Sequence, residues 1–223
     1  MSVADLEVTR ESLRAVACYV VGPARKARTG RIGLRPTGDG FGTPPFDDGS
    51  RILVRGDRLV VEPGGEIVLT TLRDAAEFVG VALSADPGVG PDVPPFEPDA
   101  PLLVDAEASL AIGRWYAFGA QALDHVRAEI EGRATVTEAQ LWPEHFDLAV
   151  TATLARGPAV NIGFSPGDGF VPEPYAYVGP HALERLTGEY WNASFGAVMH
   201  QSELGDDAAS AVNDFILRGV DQL

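Results

Sequence analysis

The chain has one cysteine, Cys18, one lysine, Lys26, and no long hydrophobic run. A lone cysteine rules out an intrachain disulfide, so the fold has to be held by its core. Set between Ala17 and Tyr19 in a helical pattern, Cys18 reads as a small buried apolar residue and not as a reactive thiol. The longest apolar stretch, around Ala15 to Val21, closes at Gly22-Pro23, well short of the roughly 18 residues needed to span a bilayer. Asp5, Glu7 and Glu11 stand where an export signal would carry basic residues before an apolar segment, which predicts a cytoplasmic protein. Positive charge is scarce: 17 Lys and Arg face 32 Asp and Glu, a net charge of −15. The deficit is uneven, with 11 basic and 10 acidic residues in 1–75 but 6 and 22 in the remainder. Binding to nucleic acid or anionic membrane needs clustered cations, so neither is an expected partner.

What is present suits a folded protein. Hydrophobic residues make up 45% of the chain and charged ones 22%, enough apolar surface to offset chain entropy. At 223 residues the chain has the size of one large domain or two tightly packed halves. From Arg10 to Val21, Leu13, Val16, Ala17, Val20 and Val21 fall three and four apart, which predicts an amphipathic helix capped by Thr9 and broken at Gly22-Pro23. A strand is expected from about Arg31. Arg51 to Arg55 and Arg58 to Glu62 then flank Gly56-Asp57 as a hairpin, followed by a β-rich run from Glu66 to Thr70. Thr71, with Asp74 in the capping-box position, predicts a helix from Leu72 to Val81. Six prolines between Ala85 and Pro101 mark a stiff connector.

Beyond the connector, Asp105 caps a long helix that Gly132 ends, with Gly113 and Gly119 inside it permitting close packing. The period then switches to two through Phe146 to Leu154 and Val160 to Phe164, the pattern of neighbouring antiparallel strands. A strand at Tyr175 to Val178, a helix near His181 to Leu186 and a last helix from Asp206 to Leu217 follow. The expected fold is α+β, with antiparallel sheet packed against a long central helix and flanking helices. It forms a single domain of two halves, residues 1–84 and 102–223, joined by the connector 85–101.

Four blocks in order carry a family resemblance: Gly30 to Arg35 with Gly40 to Phe46, Leu141 to Ala149, Ser165 to Asp168 with Pro172 to Pro180, and Tyr190 to Ala197. Together they span nearly the whole chain, which resembles a family of uncharacterised proteins common in high-GC Gram-positive bacteria. The resemblance implies relatives and no activity, cofactor or catalytic residue.

Gly163-Phe164-Ser165-Pro166-Gly167 matches the G-x-S-x-G pattern of serine hydrolases. Pro166, however, stands where a backbone N–H must hold the oxyanion, and no helix follows. The segment reads as a strand ending in a Pro-Gly turn whose amides Asp168 can bind. Gly38-Asp39-Gly40-Phe41-Gly42 lacks the Lys-Ser/Thr of a phosphate loop and runs into Thr43-Pro44-Pro45, so it is not a nucleotide site.

His145 and Asp147 are two apart at the start of a strand and are expected on the face opposite Phe146, with Asn161 and Ser165 reaching that face from the next strand. An imidazole beside a carboxylate suits general acid–base work, His145 being the acid or base and Asp147 orienting it. The same pair would suit a metal with Asp168, Glu173 or His181 as a third ligand, although His-x-Asp alone marks no metal site. The rival reading has both side chains bonding the turn near Pro143 or facing solvent. Tyr175 and Tyr177 share one side of a strand, and Trp142, Tyr190, Trp191 and Asn192 cluster in nearby blocks, with Glu144 and Glu173 as further ligand-binding candidates. They outline either a small-molecule pocket or a core of hydrogen-bonded aromatics. The basic run Arg25 to Arg35 suits an anion, or compensation of the acidic later half.

The functional expectation is a cytoplasmic small-molecule-binding protein whose cavity draws on Trp142 to Asp147, Ser165 to Tyr177 and Tyr190 to Asn192, with catalysis by His145 and Asp147 as one version. The alternative is a non-catalytic interaction module presenting an acidic surface or the proline-rich connector. No motif names a cofactor, and the oligomeric state is open.

Overall fold

Gly22-Pro23 does not end the first helix. A computed structural model describes residues 3–223, with the side chains of residues 3, 4 and 185 excepted. In it α1 (Val3–Val16) runs through a π-helical turn (Ala17–Val21) into α2 (Gly22–Thr29), which Gly30 closes at φ 71°. Pro23 has no N–H to return to the preceding turn. The wider π turn, closed by the Gly22 N–H on the Ala17 carbonyl, re-registers the ladder where that bond is missing. The helix also begins earlier than Thr9, because buried Leu6 extends the apolar stripe of Leu13, Val16 and Val20 by one more turn. Thr9 therefore lies inside α1, and its hydroxyl accepts a hydrogen bond from the Asp105 N–H at 3.0 Å.

After α2 come β1 (Arg35–Pro36), β2 (Gly40–Gly42), β3 (Arg51–Arg55), β4 (Arg58–Glu62), β5 (Glu66–Val68), α3 (Leu72–Val79) and α4 (Ala106–Glu129). The remaining elements are β6 (Ala134–Val136), β7 (Gln140–Trp142), β8 (Asp147–Leu154), β9 (Ala159–Ser165), β10 (Tyr175–Pro180), β11 (Ala197–His200) and α5 (Ala208–Asp221). Single 3-10 turns occupy Leu183–Arg185, where a helix is expected, and Gln201–Glu203. The fold is α+β with two antiparallel sheets, of five and six strands. Among the described residues no helix is long and apolar enough to cross a membrane. The chain divides into two compact units, Met1–Ala117 with Leu141–Asp147, and Phe118–Gln140 with Leu148–Leu223. The division falls within α4, and the proline-rich segment belongs to the first unit.

In the first unit the sheet runs in the order β1 to β5, with the β3–β4 hairpin turning at Gly56-Asp57. The glycine-rich segment around Phe41 is a buried strand. A Cβ on Gly40 or Gly42 would strike the carbonyl oxygen of Val54 or Ile52, and one on Gly113 of α4 would come within 2.5 Å of the Gly40 nitrogen. These glycines mark a close approach of helix to sheet. Thr71 caps α3 by accepting from the Asp74 N–H, and Gly80 closes that helix at φ 76°. The proline-rich segment is anchored by polar bonds: Tyr19 Oη donates to the Pro94 carbonyl at 2.5 Å, Arg14 Nη2 to the Asp92 carbonyl at 2.8 Å and Lys26 Nζ to the Gly88 carbonyl at 2.7 Å.

In the second unit β11, β10, β9, β8 and β6 lie side by side. One face carries Phe164, Ile162, Leu148, Val150, Ala176 and Val178, all buried. Phe164 meets Phe118 edge to face, and Gly119 admits its ring at a spot where a Cβ would come within 2.5 Å. Helix α5 packs on β10 and β11. It is capped by Asp207, and its last turns are held by Tyr190, whose hydroxyl donates to the Phe215 carbonyl at 2.8 Å.

Candidate functional site

The expected site residues fall in both units. Trp142, Glu144, His145 and Asp147 belong to the first, and Asn161, Ser165, Asp168, Glu173, Tyr175, Tyr177, Trp191 and Asn192 to the second. In the first unit His145 and Asp147 do not share a strand face. Residues 143–146 form a turn closed by the Phe146 N–H on the Trp142 carbonyl, and the strand begins only at Asp147. Phe146 itself takes φ 53°, a strained region for an aromatic residue. It is held there by rings at right angles, Phe41 at 5.3 Å and Tyr116 at 5.8 Å, and by Tyr116 Oη donating to its carbonyl at 2.6 Å. Burial, and next the Asp147 charge, push the Tyr116 hydroxyl well above its ordinary pKa, so it stays a donor.

The turn therefore separates the two candidates, leaving His145 exposed and Asp147 buried. The carboxylate near His145 is that of Asp92, 3.8 Å from Nδ1. Glu144 is buried against Gly90, its Oε2 has no hydrogen-bond partner among the described residues, and its carbonyl accepts from Arg14 Nε at 2.8 Å. Cys18 donates to the Pro143 carbonyl at 3.1 Å. Burial pushes its thiol up to about 12, which makes it a packed side chain and a poor nucleophile.

In the second unit the β9–β10–β11 register puts Asn161, Gly163 and Ser165 on one face with Tyr175, Tyr177, Val198 and His200. Ser165 serves its turn: Oγ accepts from the Gly167 N–H at 3.2 Å. Asp168 organises the loop that follows, with Oδ1 accepting the N–H groups of Phe170 and Val171, both at 2.8 Å, and Oδ2 taking the Tyr175 hydroxyl at 2.6 Å. Asn192 spends its amide on the Val198 backbone in two hydrogen bonds, and Trp191 meets Tyr190 edge to face. Asn161 Oδ1 takes the Thr151 hydroxyl at 2.9 Å and lies 3.2 Å from His181 Nε2.

What the unit does assemble is a run of rings. Phe170 meets Phe195 at 5.5 Å, Phe195 meets Tyr177 at 6.1 Å, and Tyr177 meets Tyr175 at 6.2 Å between centroids. Phe170, at 57% exposed, is the open end, and Tyr177 and Phe195 are half-buried. Next to Tyr175 across the sheet is His200, whose Nδ1 lies 3.0 Å from Glu173 Oε1. Phe170, Phe195 and His200 were not expected from sequence. Phe170 and Phe195 lie in loops with no periodicity, and His200 gains its carboxylate only because β11 pairs with β10. Among the described residues no group of three or more His, Cys, Asp or Glu is arranged to hold a metal ion. Comparison with protein-family models, curated proteins and solved structures found no match.

Proposed function

We propose that the protein binds a small organic molecule bearing a flat apolar ring, on the shelf formed by Phe170, Phe195 and Tyr177 in the second unit, and that it does so in the cytoplasm. The observation that carries this reading is Phe170, a large aromatic left 57% exposed at the end of a continuous run of ring contacts. An exposed phenyl ring forfeits the free energy of burial, and a ligand ring stacked at that end of the run recovers it. The His200–Glu173 pair, on the strand edge beside Tyr175, supplies a polar partner for a ring substituent. A histidine and carboxylate in contact also suit proton transfer, so a catalytic version of the site would rest on this pair and not on His145 with Asp147.

The test is saturation-transfer NMR with indole and quinoline as probes, on the wild-type chain and on Phe170→Ala and Phe195→Ala. Both probes should receive saturation from the wild type. Phe170→Ala should lose most of it with little change in melting temperature, because this residue contributes little to the core. Equal transfer to wild type and both variants would sink the reading.

A further inference from the structure

We propose that the first unit holds a small phosphate-bearing molecule through the guanidinium of Arg25, with Arg31 closing on the same anion. Arg25, on α2, is 7% exposed, yet its side chain makes no hydrogen bond or ion pair among the described residues, and its Nη1 is shut off from solvent with no acceptor. A guanidinium stays charged at any physiological pH, so sealing one of its donor nitrogens from water without an acceptor is costly. A site completed by an anionic ligand removes that cost.

The neighbouring sequence offers no carboxylate to take the place of such a ligand. Between Glu11 and Asp39 there is no Asp or Glu, while the same stretch carries Arg14, Arg25, Lys26, Arg28, Arg31 and Arg35. Arg14 is engaged by Glu11 and Asp92, Lys26 by the Gly88 carbonyl, and Arg28 by Asp48 at 2.7 Å while its guanidinium lies 3.7 Å over the Phe46 ring. Arg31 is exposed and, like Arg25, has no side-chain partner among the described residues. Burial, then the positive charges of Arg35 and Arg31, lower the pKa of Arg25. An anion carrying more than one negative charge can answer both Arg25 and Arg31. Tetrahedral phosphate oxygens match two guanidinium forks better than a single carboxylate does.

The C-terminal dipole of α2 does not account for Arg25. It favours cations in the last turn, but a helical side chain leans toward its own N-terminus, away from the open carbonyls beyond Thr29. The Arg25 carbonyl is itself taken by the Thr29 hydroxyl at 2.9 Å.

The test uses the full chain with sodium pyrophosphate as probe, and sodium succinate and sodium chloride at matched ionic strength for comparison. Pyrophosphate should raise the melting temperature saturably and chloride should not. Arg31→Gln, at an exposed position, should fold normally and bind pyrophosphate about tenfold more weakly by calorimetry. Arg25→Met keeps the apolar stem and removes the uncompensated charge. It should abolish the pyrophosphate response and raise the melting temperature in anion-free buffer. Equal shifts in pyrophosphate and chloride, an unchanged affinity in Arg31→Gln, or a lowered melting temperature in Arg25→Met would each overturn the proposal. A larger shift with succinate than with pyrophosphate would overturn the choice of phosphate. The ring shelf lies in the other unit, so either proposal can fail while the other stands.

Discussion

Replacing Gly163 with alanine tests whether the face of the second sheet is built around the Tyr177 ring. Gly163 of β9 is the register partner of Tyr177 on β10, and a Cβ at this position would come 2.6 Å from both Cζ and Oη of the tyrosine. Comfortable carbon contacts lie at about 3.5 Å, so the ring must move by about 1 Å. Alanine brings one gain: Gly163 is not at positive φ, so narrowing the unfolded chain favours the fold by about 0.4–1 kcal/mol. Against that, overpacking costs about 1–3 kcal/mol, and the displaced ring weakens its contacts with Tyr175 and Phe195, each worth about 0.5–1.5 kcal/mol. The losses win, by about 1–3 kcal/mol net, a fall in melting temperature of about 2–12 °C for a chain of this size. Urea unfolding followed by far-ultraviolet circular dichroism measures the stability, and the near-ultraviolet spectrum reports the tyrosines. The double variant with Tyr177→Ala should show no further penalty from the added methyl group. If Gly163→Ala is as stable as wild type and keeps its near-ultraviolet spectrum, the ring does not rest on that glycine and the shelf is not built as described.

The elements that were legible from sequence are those whose signal is local. Thr71 and Asp74 announce α3, Asp105 and Gly132 bracket α4, and Gly56-Asp57 sets the β3–β4 hairpin, because a cap or a tight turn is specified by the few residues that form it. What went astray depended on distant partners. Pro23 looks like a stop until the π turn shows how the helix absorbs it. Gly40-Phe41-Gly42 shows no strand signal until β3 and α4 close over it, since the absence of a side chain is useful only to the neighbour that fills the space.

The candidate site was legible in part for the same reason. Tyr175 and Tyr177 sit on one strand face because strand period alone decides it. His145 and Asp147 part company because one residue between them, Phe146, is forced to positive φ by Tyr116 and Phe41, which are distant in sequence. Strict alternation cannot anticipate a left-handed residue that only tertiary packing imposes. The isolation of Arg25 was equally hidden. A basic run in sequence says nothing of which members find carboxylates, and Arg28 does find Asp48 whereas Arg25 finds none among the described residues.

Three further predictions follow from the local chemistry. With its thiol pushed up to about 12, Cys18 has about one part in ten thousand as thiolate at pH 8. Ellman's reagent should therefore react only after denaturation, and rapid reaction of the native chain would contradict the burial. Tyr116→Phe removes the donor to the strained Phe146 carbonyl and should cost about 1–3 kcal/mol in urea unfolding, with no loss at all refuting the bond's role. Asp48 gives a pH dependence with a definite sign. Hydrogen bonds from the Ser50 hydroxyl and amide, and next the Arg28 guanidinium, hold its carboxyl at about 2, below the ordinary 3.8. Because the folded value is the lower one, its contribution is fully present above the unfolded pKa and is lost as the pH falls through about 2. An NMR titration of the Asp48 carboxyl carbon should show its midpoint near that value. Asp48→Asn should remove that signal together with the share of the acid dependence that Asp48 carries. A wild-type midpoint at or above the ordinary value would mean that Ser50 and Arg28 do not hold the carboxylate, and the Arg28 charge would then join Arg25 and Arg31 as a further cation lacking a carboxylate.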